Sequence, residues 1–168
     1  YQMYGATLGE NVKMDLVDEH DYNSLHTALS NADFDSKFDK LSNGLNTEIT
    51  REFNDDGTIF SGGESQKIAI ARMFAGKNTP PIAILDEPSS ALDPKAEYIL
   101  NTNIMEKAIN STVIFISHRL STTRTADRIY MFENGEIIEQ GTHKELMDNN
   151  SAYAEMFKKQ SKYYKLNI

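Results

Sequence analysis

Two stretches of this chain combine residue types suited to phosphate and divalent-metal chemistry. The first runs Phe60-Ser61-Gly62-Gly63-Glu64-Ser65-Gln66-Lys67-Ile68-Ala69-Ile70-Ala71-Arg72, and the second, shortly after it, runs Ile82-Ala83-Ile84-Leu85-Asp86-Glu87-Pro88. Glycines opening a helix let a phosphate approach backbone N–H groups where the helix dipole favours negative charge. Ser61 and Glu64 also have the spacing of a capping box, and on that reading the glycines only make the turn. The two roles are compatible. In the second stretch an apolar strand ends in two adjacent carboxylates. Neighbouring strand residues point to opposite faces, so one of the two carboxylates could hold a magnesium ion through its water shell while the other faces a different space and polarises an attacking water. A pair of solvated strand-end carboxylates is the plainer alternative, although ligands of open parallel sheets gather at this end of the strands. His118 follows the apolar run Val113 to Ser117 in the same way and could converge on that site; capping or simple surface exposure would explain it as well. His20, His26 and His143 lack such a context and read as surface residues. Asp93 precedes Pro94, and an N-cap role suffices to account for it.

The elements that must position these groups change character along the chain. Residues 1 to about 59 are polar and helix-prone, without a convincing strand. Thr7-x-x-Glu10 marks a helix start, and Asp21 is placed to cap a second helix with Leu25, Ala28, Leu29 and Ala32 on one face. Phe34, Phe38 and Leu41 continue the apolar spacing into a third short segment. After Phe60, helices and strands alternate. Ile68, Ala71 and Met73 to Ala75 give the helix after Gly63 its apolar side, and Gly76 ends it. Ile82 to Leu85, Val113 to Ile116 and Ile129 to Phe132 are short continuous apolar runs, the form of strands buried on both faces. Asp93-Pro94 starts another helix. Asn134-Gly135 predicts a hairpin, and Thr142-x-x-Glu145 a further capping box before a last helix carrying Tyr153, Met156 and Phe157 on one face. Alternation of this kind predicts an α/β fold with a mostly parallel sheet.

Composition narrows the class. With 168 residues, 39% of them hydrophobic and 25% charged, the chain can bury the core of one globular domain. A formal net charge of −8 argues against a general nucleic-acid binder. The absence of cysteine excludes disulfides and thiolate metal sites. No apolar run approaches the roughly 20 residues that span a bilayer, so a soluble chain is expected, with any membrane role supplied by a partner or by a segment outside it.

The motifs now carry a resemblance. Phe60-Ser61-Gly62-Gly63-Glu64 resembles the signature motif of ABC-type ATPases, usually written LSGGQ. Ile82 to Asp86 resembles Walker B, and Glu87 the catalytic glutamate that follows it. Ser90-Ala91-Leu92-Asp93 matches the D-loop, and His118 the switch histidine. Tyr4 to Val12 resembles the segment just after the Q-loop, and Asn134 to Leu146 the exporter-type tail, so the similarity extends over nearly the whole chain. The resemblance implies an α/β, partial P-loop NTPase fold: a RecA-like parallel sheet with flanking helices and an ABC α-helical subdomain. Residues 8–76 would be the helical subdomain with the signature motif, and residues 77–168 the remainder of the catalytic core. It implies ATP and Mg2+ as cofactors and a head-to-tail dimer with a second nucleotide-binding domain. In that dimer Ser61, Gly62, Gly63 and Glu64 would complete the partner's nucleotide site. Asp86 would hold the metal, Glu87 would activate water, and His118 would contact the γ-phosphate. A transmembrane domain is the implied second partner, at the cytoplasmic face of a membrane, and no nucleic acid is implied.

The chain departs from the family pattern in three places. Glu64 stands where the family usually has Gln, and adds negative charge near the γ-phosphate unless Lys67 or magnesium offsets it. Thr47 to Phe53 resembles the exporter loop before the signature only loosely. Nowhere does G-x-x-x-x-G-K followed by Ser or Thr occur, so the phosphate-cradling loop is missing. The expectation is therefore the C-terminal two-thirds of one nucleotide-binding domain, an ATPase in the intact protein but unable to bind or hydrolyse ATP by itself. Two alternatives stand beside it: an ABC-type ATPase of DNA repair or chromosome maintenance, and an interaction module without turnover.

Overall fold

Capping residues set most of the helix starts, and apolar periodicity sets which faces are buried. The computed structural model describes residues 2–52, 55–76, 80–108, 110–119 and 123–166. These fall into two compact units, residues 1–116 and 117–168.

The first unit begins with helix α1 (Leu8–Lys13), opened by a complete Thr7–Glu10 capping box. Helices α2 (Tyr22–Asn31) and α3 (Asp35–Phe38) follow. Asp21 precedes α2 but makes no side-chain cap to it, contrary to the sequence expectation. Its carboxylate instead accepts from Lys13 Nζ at 2.5 Å and from the Asp18 N–H at 3.0 Å. The expected third short segment is α3. No strand forms among the described residues ahead of Phe60; the chain makes only isolated bridges, Thr7 with Glu48 and Ile49 with Thr58. Phe53, at the end of the loosely matched loop, lies outside the described residues.

Helix α4 (Gly62–Ala75) buries Ile68, Ile70 and Ala71 against α1 and α2. Strand β1 (Ile82–Asp86) pairs in parallel with β2 (Thr112–Ile116), with Asp86 opposite Ile116. Between them lies α5 (Pro94–Lys107), opened by Asp93 and Pro94 as the sequence predicts. One core joins Leu8, Val12, Leu25, Leu29, Phe34, Ile68, Leu100 and Ile104, with Leu85, Val113 and Phe115 packed on it. The strands, however, are not buried on both faces. Ala83, Leu85, Val113 and Phe115 alternate toward the core, while Ile82, Ile84, Ile114 and Ile116 are 60%, 66%, 45% and 50% exposed. The pleat puts these isoleucines on the face opposite the core, and that face is left largely uncovered among the described residues.

The second unit holds an antiparallel pair, β3 (Ile129–Glu133) and β4 (Glu136–Gly141), then α6 (His143–Asn149) and α7 (Ala152–Leu166). Asn134 and Gly135 turn the hairpin with φ of 51° and 84°, the left-handed pair that an Asn-Gly turn favours. β3 pairs with β4 alone among the described residues, and of its apolar run only Ile129 is buried. Ile129, Leu146 and Tyr153 form this unit's core, with Met156 and Phe157 against it. Two histidines expected at the surface are half-buried instead. His26 packs edge-on against Phe38 with 4.8 Å between ring centres. His143 Nδ1 lies 2.8 Å from the Tyr153 hydroxyl, which also meets Thr123 Oγ1 at 2.9 Å. His20 is exposed, as expected.

Candidate functional site

Ser61 and Glu64 build the start of α4 reciprocally. Ser61 Oγ accepts from the Glu64 N–H at 3.3 Å, and Glu64 Oε2 accepts from the Ser61 N–H at 2.7 Å. The capping reading of the motif is therefore correct, and it leaves the phosphate reading open. The Ser65 N–H reaches the Ser61 carbonyl at 2.9 Å, while the N–H groups ahead of Glu64 in this first turn have no acceptor within the helix. Ser61 and Gly62 are exposed, so an anion can approach this end of the dipole. Gly63 answers a second constraint. A Cβ there would lie 3.1 Å from the Ala91 carbonyl oxygen, so the glycine also permits close packing of α4 on the loop after β1.

That loop is the second half of the site. Asp86 is the last residue of β1 and is exposed. Glu87 lies one residue past the strand at φ 49°, so a turn and not the pleat sets its direction. This replaces the strand-alternation argument made from sequence for the two carboxylates. A left-handed conformation is uncommon for a residue with a Cβ and has to be held by its surroundings. The Glu87 N–H donates to the Ile116 carbonyl at 2.9 Å, and its own carbonyl accepts from the Ser90 N–H at 3.1 Å. Ser90, Ala91 and Asp93 are exposed and Leu92 is buried. Asp93 Oδ1 accepts from the Lys95 and Ala96 N–H groups at 2.9 and 3.0 Å, and those bonds, Ala96 first, hold its carboxyl below the usual range.

Gln66 joins the two halves, and sequence reasoning did not single it out. It is 3% exposed. Its Nε2 donates to the Glu87 carbonyl at 2.8 Å and to Ser90 Oγ at 3.3 Å, and its Oε1 accepts from the Ala91 N–H at 3.2 Å. The available signal was an amide lying one helical turn before Ile70, on the face that the apolar residues mark as buried. Arg72 does similar work at the far end of the helix: Nε donates to the Asn11 carbonyl at 2.8 Å and an Nη to the Gln2 carbonyl at 2.7 Å.

Charge around Glu64 is arranged by a residue that the sequence did not point to. Lys37 Nζ lies 2.9 Å from Glu64 Oε1. Lys67, the sequence candidate, is engaged elsewhere, with Asp33 Oδ2 at 2.6 Å and the Asp33 carbonyl at 2.7 Å. Burial pushes the Glu64 carboxyl up, but the Ser61 N–H and the Lys37 ammonium outweigh it and hold the group below its ordinary range.

The structure thus brings Ser61 to Glu64 together with Glu87 to Asp93 in one unit. His118 belongs to the second unit, where it is exposed and its carbonyl accepts from Gln160 Nε2 at 3.0 Å. Among the described residues no group of three or more His, Cys, Asp or Glu side chains is placed to hold a metal by itself.

The family model for ABC transporters matches residues 5–90, just over half of the chain. This chain belongs to the ABC transporter family. It is similar to the ATP-dependent lipid A-core flippase of Escherichia coli (strain K12), with 35% identity over 158 residues, 94% of this chain and 26% of the relative. It is also similar to the mitochondrial potassium channel ATP-binding subunit of Rattus norvegicus, with 34% identity over 159 residues, 95% of this chain and 21% of the relative. Among solved structures, a bacterial Atm1-family ABC exporter with ATP bound superposes with a TM-score of 0.80 at 32% identity, covering 95% of this chain and 27% of that one. The chain therefore spans about a quarter of the length of these ABC proteins. The expected exporter-type resemblance and the α/β, partial P-loop NTPase fold both hold. The alternative of a DNA-maintenance ATPase is not supported by these relatives.

Proposed function

We propose that this chain is part of the ATP-hydrolysing module of an ABC exporter, and that its signature helix serves a nucleotide bound to a second such module. The observation that carries the proposal is the Gln66 bridge. It couples the exposed N-terminus of α4 to the Glu87–Asp93 loop, so one unit presents both an anion-binding helix end and a strand-end carboxylate pair. In the assembled head-to-tail dimer Ser61, Gly62 and Gly63, with Glu64 beside them, close over the γ-phosphate of the opposite site. Ser90 to Asp93 run along the dimer seam. Glu87 orients and deprotonates the attacking water of its own site, and His118 contacts the γ-phosphate there. Positioning and electrostatic stabilisation do most of the work in such phosphoryl transfer.

A magnesium ion, when bound, neutralises phosphate charge. A single exposed strand-end carboxylate fits it, because Mg2+ keeps waters and phosphate oxygens as its other ligands, and Asp86 is the residue that would hold it through water. Residues 8–76 act as the helical subdomain facing a transmembrane partner, and residues 77–168 as the catalytic-core remainder. This functional division cuts through the first compact unit, because α4 belongs to one part by role and packs with both. No helix among the described residues is long and apolar enough to cross a membrane. In this reading the transmembrane partner holds the module at the cytoplasmic face of a membrane. The phosphate-cradling loop is absent from these 168 residues, and by themselves they do not turn ATP over.

The test is Glu87→Gln in the intact parent protein. Steady-state ATP hydrolysis should fall by at least about a hundredfold, the scale of losing a general base, while ATP-bound dimers accumulate on size-exclusion chromatography. Unchanged hydrolysis would remove Glu87 from this role.

A further inference from the structure

We propose that Lys37 is a charge-compensating positioning residue that makes an acidic signature helix compatible with an anionic ligand; the inference rests on the nucleotide-facing reading of that helix. A glutamate in the first turn of α4 caps the helix well, because its Oε2 takes the Ser61 N–H. It also places a full negative charge beside the N–H groups to which a polyphosphate would dock, and like charges at such range repel. A glutamine would avoid the conflict and keep the cap. This chain keeps the carboxylate and supplies a cation: Lys37, from the short helix α3, sits 2.9 Å from Glu64 Oε1. Oε2 serves the cap and Oε1 serves the lysine, so each oxygen has one task.

Two further observations separate this pair from an incidental surface contact. Both side chains are about two-thirds covered or more, at 31% and 27% exposure, and the Lys37 ammonium also stands 5.4 Å from the centre of the Phe60 ring. Phe60 is itself packed edge-on against Phe34, with ring centres 5.6 Å apart. The lysine is thereby held over the residue that opens the signature stretch. Lys67 cannot substitute, because its ammonium is committed to Asp33 on two oxygens. Asp35, two residues before Lys37 on the same short helix, accepts from the Ser30 hydroxyl at 2.9 Å.

The experiment measures ATP hydrolysis by the full-length parent over a range of ATP concentrations, for wild type, Lys37→Ala, Lys37→Arg, Glu64→Gln and the Lys37→Ala/Glu64→Gln double variant. Lys37→Ala should raise KM for ATP about three- to fivefold, the scale of a solvent-accessible charge interaction, with a smaller change in kcat. Lys37→Arg should restore KM. In the Glu64→Gln background, removing Lys37 should leave KM where that background has it. An unchanged KM in Lys37→Ala overturns the proposal, as does an equal rise in both backgrounds, which would mean that Lys37 acts by packing on Phe60. Gly62→Asp in the same assay tells this failure from the other: if it leaves hydrolysis intact, the nucleotide-facing reading itself falls and the inference falls with it. If Gly62→Asp is inactive and Lys37→Ala is silent, only the inference fails.

Discussion

Gln66 uses both ends of its amide on one loop, donating to the Glu87 carbonyl and accepting from the Ala91 N–H. At this scale the site is a matter of satisfying buried polar groups. Glu87 carries a left-handed backbone, and the bonds at its N–H and carbonyl hold that conformation. Replacing Gln66 by methionine keeps the volume and removes every one of its hydrogen bonds, taking the acceptor from the Ala91 N–H in a partly buried place while the Glu87 carbonyl keeps the Ser90 N–H. The expected cost is about 1–3 kcal/mol, read as a lower urea midpoint with an unchanged m-value. A midpoint within error of wild type would show that water replaces the amide freely. Gly63 makes the same point by subtraction, since a side chain there would meet the Ala91 carbonyl.

At the scale of elements, the helix starts are the most strongly specified features. Thr7–Glu10, Ser61–Glu64 and Thr142–Glu145 all form complete capping boxes. A fourth carboxylate works across elements: Glu139 of β4 accepts from Ser151 Oγ and from the Ala152 N–H, the latter at 2.7 Å, and so caps α7. Hydrogen bonds from Thr7 hold Glu10 low, those from Thr142 hold Glu145 low, and the Ser151 hydroxyl leads for Glu139. A carboxyl lowered in the folded state contributes stability above its unfolded value, and that contribution is lost as pH falls through the folded value. The thermal midpoint should therefore be flat above the ordinary glutamate value of 4.5 and fall as the pH drops below it. Thr7→Ala and Thr142→Ala should each cost about 1 kcal/mol at neutral pH and make the acid slope shallower. A slope identical to wild type in calorimetric scans would show that the caps are not its source.

For the molecule as a whole, the parallel pair decides solution behaviour. Its core-facing side chains meet α4 and α5, while Ile82, Ile84, Ile114 and Ile116 form an exposed apolar face. Contiguous apolar surface of this kind favours association, against which the net charge of −8 works only weakly at physiological salt. The isolated 168-residue chain should sediment with a concentration-dependent average mass. Ile84→Lys combined with Ile114→Lys should move it toward monomer. Equal sedimentation of the two proteins would mean that this face is not the contact.

Much of the local chemistry was legible in the chain itself. The capping boxes, the Asn134-Gly135 turn, the Asp93-Pro94 start and the order of signature, strand-end carboxylates and D-loop all depend on residues a few positions apart, and short-range hydrogen bonds and backbone preference settle them. The family followed from that order. What only the tertiary structure decided lies between distant positions: Gln66 on the Glu87 loop, Lys37 and not Lys67 on Glu64, Asp21 turned from its helix to Lys13, His143 drawn to Tyr153. One face of the paired strands, read from sequence as buried, is open for the same reason. Periodicity tells which residues share a face, but a partner for that face, or for a charge, is chosen by the path of the chain through space, and adjacent letters do not encode that path.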